Sequence, residues 1–360
     1  MTRSRYHAPA PVFKIEGTVK GELARDVASL EIEETTMGLK TLRATFGNLG
    51  PRDGGRDEQL VYFDGTTIDF GKQIEVSLGP SEDARIVFSG YISAIEGRFE
   101  EAAEPMISVF AEDRLMQLRT TRRSRTYRDR SDAQIVQAIA AEHGLTADAD
   151  VDGPTYEVVQ QCNQSDLAFL RDRAQHIRAE LWVEGNTLFF KARGGRNCPA
   201  LTLVQGNELF HLRVRADLAH QRTQINVSGY DADARDVIDE VATSDVIQSE
   251  IAGGRTGPDV LQRTFGERVS LRVRETPLTS AEARAWARAE MLRRARGFVQ
   301  VSGVARGSPD MVVGSKLTLE RIGGPFSGDG YYVTRVCHTY DPDGYRTSFD
   351  AERPTIKDNP

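Results

Sequence analysis

Apolar residues recur at every second position through roughly the first third of the chain. Ile74-Glu-Val-Ser-Leu78 and Tyr91-Ile-Ser-Ala-Ile95 each put them on one face of an extended segment, the pattern of a half-buried strand. Gly, Asp and Pro gather between such runs, as in Gly50-Pro-Arg-Asp-Gly-Gly55 and Gly79-Pro-Ser-Glu-Asp83, where turns and loops are expected. This alternation predicts a β-barrel or sandwich.

The period changes over residues 120–200. Ser131-Asp132 can cap a helix carrying Ile135, Val136 and Ile139, with Gly144 placed to end it. Ser165 can cap a second helix, with Leu167, Leu170 and Ala174 on one face. Leu181-Trp-Val183 and Thr187-Leu-Phe-Phe190 flank Glu184-Gly-Asn186, a hairpin signal. This middle segment reads as α+β. Alternation then returns at Phe210-His-Leu-Arg-Val214 and Gln224-Ile-Asn-Val-Ser228. Residues 231–262 are polar, with Gly253-Gly-Arg-Thr-Gly-Pro258 near their end, and read as an excursion or long loop. A helix is predicted over 280–296. Thr279 and Glu282 suit a capping box, and Ala281, Ala285, Ala289 and Leu292 share a face. Arg293, Arg294 and Arg296 lie at the negative end of its dipole, and Gly297 can close it.

Two parts of the chain resemble each other. Gly71-Lys-Gln-Ile-Glu-Val-Ser-Leu78 is similar to Gly314-Ser-Lys-Leu-Thr-Leu319. Phe88-Ser-Gly-Tyr-Ile-Ser-Ala-Ile95 is similar to Phe326-Ser-Gly328 followed by Tyr331-Tyr-Val-Thr-Arg-Val336. Ile107-Ser-Val-Phe-Ala-Glu-Asp-Arg114 is similar to Arg346-Thr-Ser-Phe-Asp-Ala-Glu-Arg353. The three matches keep one order and similar spacing, so each copy reads as strand, loop, hairpin strand, turn, strand. The glycine before the tyrosine is expected to free the backbone for a tight turn or bulge. A chain with two similar units can mimic two subunits of a ring, and three such chains would present six.

Composition narrows the function classes. The 360 residues carry 46 basic and 53 acidic side chains, a net charge of -7, which makes bulk nucleic-acid binding a poor fit. Cys162, Cys198 and Cys337 are odd in number and far apart, which fits a reducing compartment and neither a disulfide framework nor a zinc site. Met1-Thr-Arg-Ser-Arg5 leads into no apolar core of a signal peptide, and no apolar run is long enough to span a membrane.

The chemical motifs are weak. Gly324-Pro-Phe-Ser-Gly328 has the wrong spacing for a hydrolase elbow, and Gly314-Ser-Lys316 lacks the P-loop pattern. His7, His143, His176, His211, His220 and His338 show no ligand spacing. Asp341-Pro-Asp-Gly344 reads as a β-turn, not a calcium loop. Glu33-Glu34, Glu100-Glu101 and Asp148/Asp150 are pairs that arise freely in an acid-rich chain. The basic run from Arg119 to Arg130 could meet phosphates but reads better as a linker or as a charge patch facing a neighbouring subunit. The sequons at Asn163 and Asn226 fall on a helix start and a predicted strand.

Asn163-Gln-Ser-Asp-Leu-Ala-Phe-Leu-Arg-Asp-Arg173, leading to Leu181-Trp-Val-Glu-Gly-Asn-Thr-Leu-Phe189, resembles the middle domain of VgrG and phage late control D proteins, as does Val227-Ser-Gly-Tyr-Asp231. Phe326-Ser-Gly, Tyr331-Tyr-Val-Thr-Arg-Val336, His338 and Gly344-Tyr-Arg-Thr-Ser-Phe349 extend the match, which covers about residues 10 to 353. That family is similar to the baseplate hub of T4-like phages. The resemblance implies an α+β, mainly β chain with two tail-tube-like β-barrel domains flanking a small α+β domain. The expected boundaries are 9–119, 120–204 and 205–353, the last holding the loop insertion 231–262 and the helix 280–296.

The expected function is structural. The chain would be a homotrimeric, non-enzymatic baseplate hub of a phage tail or contractile injection system, adapting a hexameric, Hcp-like tail tube to a trimeric spike. The alternatives are a tail-tip cell-wall hydrolase and a nucleic-acid module using the 119–130 run. Expected partners are the tube protein, a separate spike protein and other baseplate proteins. Neither membrane insertion nor nucleic acid is expected, beyond passage of the latter through the lumen. No catalytic, cofactor-binding or metal-binding residue is assigned. The protein is expected to be made in the bacterial cytoplasm and to reside in the virion baseplate or injection particle. Full VgrG proteins continue into further spike domains, whereas this sequence ends at Pro360, which implies a spike on another polypeptide and no fused lysozyme. Gln175-His-Ile-Arg178 departs from relatives that carry a glycine between helix and strand, which makes that turn a point to examine.

Overall fold

The structure, a computed structural model, describes residues 10–51, 58–63, 65–80, 84–272 and 276–357. His7, most of the loop around Gly55 and the turn at 81–83 lie outside the described residues.

The first unit contains β1 (Val12–Ile15), β2 (Val27–Thr35), β3 (Thr41–Gly47), β4 (Gln73–Leu78), β5 (Arg85–Arg98) and β6 (Met106–Glu112). Their order in the sheet is β1-β4-β5-β6-β3-β2. Strand alternation aims Ile74, Val76 and Leu78 into one core with Phe13, Phe46 and Ile107. The sheet curls around this core. Phe13 on β1 and Phe46 on β3 have ring centroids 5.3 Å apart, whereas four strand spacings across a flat sheet would put those strands about 19 Å apart.

The middle unit follows: β7 (Arg122–Ser131), α1 (Asp132–Glu142), β8 (Thr146–Asp150), β9 (Thr155–Ser165), α2 (Asp166–Ile177), β10 (Ala179–Glu184) and β11 (Thr187–Ala192). Ser131 caps α1 with a full capping box through Gln134, and Ser165 accepts the Ala168 N–H at the start of α2. Gly144, at φ 65°, ends α1 in the left-handed region. The β10–β11 hairpin turns on Gly185-Asn186. The basic run is therefore an ordered strand, not a linker, because β7 pairs along its length with β9.

The last unit opens with β12 (Ala200–Val204) and β13 (Leu209–Ala216). It then leaves the sheet for β14 (Gln224–Asp231), β15 (Asp236–Thr243), α3 (Gly257–Phe265), β16 (Val269–Leu271) and α4 (Ser280–Arg296). It returns as β17 (Val299–Arg306), β18 (Lys316–Glu320), β19 (Gly328–Asp341) and β20 (Gly344–Arg353).

Two sequence expectations are corrected here. Residues 231–262 do not form a loop, since β15, a short 3₁₀ turn and part of α3 occupy them. Gln224–Ser228 does not join the large sheet, because β14 pairs with β15 and β16 and packs on α4 around Ile225, Val227, Ile238 and Trp286. Alternation identifies a half-buried strand but carries no information about its partner. The face of α4 also differs from expectation. Of the expected face, Ala289 is buried, Ala285 and Leu292 are partly covered and Ala281 is exposed, while Ala283, Trp286, Ala287 and Met291 are buried, because the large side chains decide which face turns inward.

The last unit's strands lie in the order β12-β18-β19-β20-β17-β13, the order of the first unit. The match extends to irregularities. Ladder shifts fall between Val27 and Ser29 and between Leu209 and His211; others fall between Ile92 and Ala94 and between Val333 and Arg335. The Gly71 N–H donates to Ile92 O and the Ile92 N–H to Lys72 O, as Gly314 does to Val333 and Val333 to Ser315. Two details differ from the sequence matches. Phe349 corresponds to Val109, not Phe110, since a one-residue slip would turn the core face outward. Gly90 is required by close approach: a Cβ there would lie 2.3 Å from the Glu112 carbonyl oxygen.

The helix-to-strand turn after α2 is kept without glycine. Arg178 adopts φ 57° and ψ 35°, a left-handed conformation that disfavours a residue with a side chain. Burial, with Arg296 nearby, pulls its guanidinium down to about 10. Arg178→Gly is expected to raise stability by about 1 kcal/mol, read as a shift in the urea midpoint. A loss of that size would mean the buried side chain outweighs the backbone strain.

Candidate functional site

The two units meet edge to edge. β2 pairs antiparallel with the second half of β19, from Thr35 opposite Arg335 to Leu30 opposite Tyr340. This fuses both units into one 13-stranded sheet. β19 is long enough to serve two partners on one edge: Gly328, Tyr331 and Tyr332 pair with β18, and residues from Arg335 onward pair with β2. Leu30 and Ile32 are buried at this joint.

Charged side chains from all three parts of the chain converge beside it. Glu180 of β10 lies 2.9 Å from Arg196 Nε and 3.6 Å from Arg193 Nε, and accepts the Tyr332 hydroxyl at 2.8 Å. Glu34 of β2 pairs with Lys40 at 2.9 Å and Arg196 at 3.2 Å, and Arg193 also pairs with Glu352 of β20. Burial pushes the Glu34 carboxyl up, but Lys40 and Arg196 outweigh it and hold the group below its usual range. The Arg196 guanidinium stacks 4.0 Å from the Trp182 ring centroid and that of Arg193 4.0 Å from Tyr332. Arg335 and Glu33 add an outer pair at 2.6 Å.

His338 stands inside the joint. Its Nδ1 is 2.9 Å from the Tyr345 hydroxyl and 3.2 Å from Thr347 Oγ1. Burial, with Lys40 nearby, pulls the imidazole down to about 4. Asp113, which accepts the backbone N–H groups of Lys40 and Leu115, is pushed up to about 6 by burial.

The motifs weighed from sequence resolve into structural roles. Ser327 Oγ accepts the Ile322 N–H in the turn before β19. Ser315 Oγ accepts the Val312 N–H at the start of β18. Asp341-Pro-Asp-Gly344 is the β19–β20 turn, with Asp341 accepting the Asp343 N–H. Glu33 and Glu34 point to different partners, and Asp148 pairs with Lys191. In the basic run, Arg125 reaches Glu142 and Asp166, Arg123 also reaches both acids, and Arg119 binds Glu112. Asp166 accepts the His143 Nε2–H at 2.8 Å, and His176 lies against Trp286. Among the described residues no group of three or more His, Cys, Asp or Glu could hold a metal, and no helix is long and apolar enough to cross a membrane. The Glu180 cluster has no sequence motif. Its members span more than 300 positions, from Glu34 to Glu352, and only the fold brings them together.

A family model described as the Alg8 N-terminal domain matches residues 43–341. No curated protein matches the sequence. Among solved structures, the 43 kDa tail protein of prophage MuSo2 from Shewanella oneidensis is 14% identical over 96% of this chain and 98% of its own, with a TM-score of 0.64. A tail protein from Neisseria meningitidis MC58 is 11% identical over 96% of each chain, with a TM-score of 0.65. An E. coli component of the type VI secretion system, described as structurally similar to the T4 bacteriophage tail proteins gp27 and gp5, is 13% identical over 97% of this chain and 79% of its own, with a TM-score of 0.55. This chain shares their fold.

Glu180→Ala is expected to cost about 1–3 kcal/mol in chemical denaturation, because Arg193 and Arg196 each lose one carboxylate while keeping Glu352 and Glu34, and the buried Tyr332 hydroxyl loses its acceptor. Arg335→Ala, at a half-exposed pair, should cost at most about 1 kcal/mol. The pH dependence has a defined sign. His338 is held neutral when folded, so the unfolded chain binds the extra proton between about pH 4 and 6.5, and stability falls as pH drops through that window. Asp113 works in the opposite direction between its usual value and about 6. The measurable quantity is therefore the difference from His338→Gln, whose stability at pH 4 relative to pH 7 should fall less than that of the parent, by up to about 3 kcal/mol.

Proposed function

The chain belongs to the Alg8 N-terminal domain family, and from its fold and its repeated sheet we propose that it is a structural, non-catalytic component of a phage-tail-like contractile machine. The observation that carries this reading is the same six-strand order occurring twice in one chain, joined edge to edge through β2 and β19. A chain built this way can supply two of six positions around a ring.

The finer reading is that of a baseplate hub of the VgrG and late control D type. It places a homotrimer between a hexameric tube protein and a trimeric spike, with other baseplate proteins around it, in a virion baseplate or injection particle. The division into a first barrel over 9–119, an α+β part over 120–204 and a second barrel over 205–353 is part of this proposal. The six-strand order supports it, with 217–297 as a folded insertion in the second barrel. Support for a non-catalytic role comes from the motifs: the serine, histidine and carboxylate candidates are bound into turns, ladders and ion pairs. Three of the six arginines in the Arg119–Arg130 run, Arg119, Arg123 and Arg125, are met by acids of the chain itself, which weighs against a nucleic-acid role.

Light scattering at micromolar concentration, with and without tube and spike proteins, tests the reading. The expected mass is three times that of one chain. A clean monomer in every mixture would overturn the hub reading. Lysis of peptidoglycan by the purified chain would overturn the non-catalytic one.

A further inference from the structure

The turn between α2 and β10 holds an arginine that nothing else in the fold uses. Arg178 adopts the left-handed backbone conformation that glycine takes without cost. Its Nε is buried without a hydrogen-bond partner, and no hydrogen bond or ion pair reaches its guanidinium among the described residues. Burial, with Arg296 nearby, works against its charge. The position therefore carries a backbone cost and a desolvation cost with no contact to offset them. A residue that breaks local rules in this way marks a functional position.

Arg178 lines a pocket of about 390 Å³ between α2 and α4. Three further arginines line it: Arg272, just after β16, and Arg293 and Arg294 on α4. Glu290 is the one carboxylate among the lining residues, and Arg293 and Arg294 share it, each at 2.7 Å. Four guanidinium groups thus face one carboxylate, an excess of three positive charges with His176 neutral. Cations at the end of a helix are ordinary. That accounts for Arg293 and Arg294 in the last turn of α4, the latter donating to the His220 carbonyl at 3.0 Å. It does not account for the guanidinium of Arg178, which reaches no carbonyl of the described residues.

We propose that this pocket binds a phosphate group, either free phosphate or the phosphate of a small monoester, with Arg178 as its principal ligand. The volume falls among those of small-ligand pockets and leaves room for an organic group beside the phosphate. Ile225 and Leu271 give that group an apolar wall. Guanidinium forks match phosphate oxygens, which accept from several donors at once. A phosphate monoester carries about two negative charges near neutral pH, against one for a carboxylate, and so comes closer to the excess in the pocket. A bound phosphate gives the Arg178 Nε the acceptor it lacks and offsets its repulsion from Arg293. It also ties α2 of the middle unit to α4 of the insertion. The site lies within one chain, so it goes beyond the assembly reading above and does not rest on it.

Calorimetric titration of the full chain with inorganic phosphate and, separately, with glycerol phosphate tests the site, at constant ionic strength in chloride. One saturable site per chain is expected, and the tighter of the two ligands identifies the source of the phosphate. Arg178→Gly should weaken binding about tenfold or more, because a hydrogen bond to a charged group is lost. This variant suits the test, since the left-handed backbone at that position accepts glycine. Arg293→Gln, on another element of the pocket, should weaken binding likewise. Arg128→Ala removes an exposed arginine outside the pocket and should leave binding unchanged. Absence of saturable binding by either ligand would overturn the proposal. Equal weakening by Arg178→Gly and Arg128→Ala would do the same, being the mark of general surface charge. Saturable binding that Arg178→Gly and Arg293→Gln both leave intact would put the phosphate elsewhere and sink the assignment. None of these results bears on the oligomeric state, so the site and the hub reading can fail separately.

Discussion

The pairing of β2 with β19 is the constraint on which the architecture depends. It is a ladder between residues some 300 positions apart, and it turns the two units into one continuous sheet. Long-range pairing of this kind has a large loop-closure cost, so it must be favoured by more than backbone hydrogen bonds. Burial of Leu30 and Ile32 supplies part of that, and the Glu180 cluster supplies specificity. Glu180 comes from the middle unit, Glu34 from the first and Glu352 from the last. The cluster is satisfied only when all three are docked. A buried ionic group is weak evidence for stability but a strong penalty on wrong arrangements, because any misdocking leaves a charge buried alone.

The middle unit is held to the first by backbone as well as charge. Gly38, at φ 66°, sits so close to the Leu181 carbonyl oxygen that a Cβ would approach it to 2.5 Å. Arg171 of α2 donates to the carbonyls of Met37 and Gly38 in the same turn. The turn between β2 and β3 is thus an anchor for the middle unit, and β2 itself carries the joint. Rigidity at one element therefore fixes both neighbours.

Local signals were legible in the sequence. Ser131, Gly144 and Ser165 mark helix ends because capping is a contact between near neighbours, and it survives without tertiary context. The duplication was legible because Gly71 and Gly314 meet the same backbone demand in both copies. What could not be read was partnership. β14 shows the same alternation as β13, yet one belongs to the inserted sheet and the other to the large one. Residues 231–262 are polar because β15 is covered on one face only, and a half-covered strand rich in Asp and Glu resembles a loop. The α4 face was misread because alanine fits either side, while Trp286 and Met291 carry the burial. The cluster around Glu180 left no local trace.

The two units are alike in strand order and unlike in what they carry, and that inequality has a structural consequence. The insertion between β13 and β17 has its own core of Ile225, Val227, Ile238 and Trp286, and it packs against α2 of the middle unit through Trp286 and His176. It does not interrupt the ladder, since β13 and β17 remain paired from Leu209 to Ala216. A unit can therefore keep the strand order of its twin, apart from a first strand that pairs parallel in place of antiparallel, while presenting a different outer surface. The insertion enters at the turn after an edge strand, where it leaves the ladder undisturbed, so one chain carries the same six-strand order twice with different chemistry around each copy.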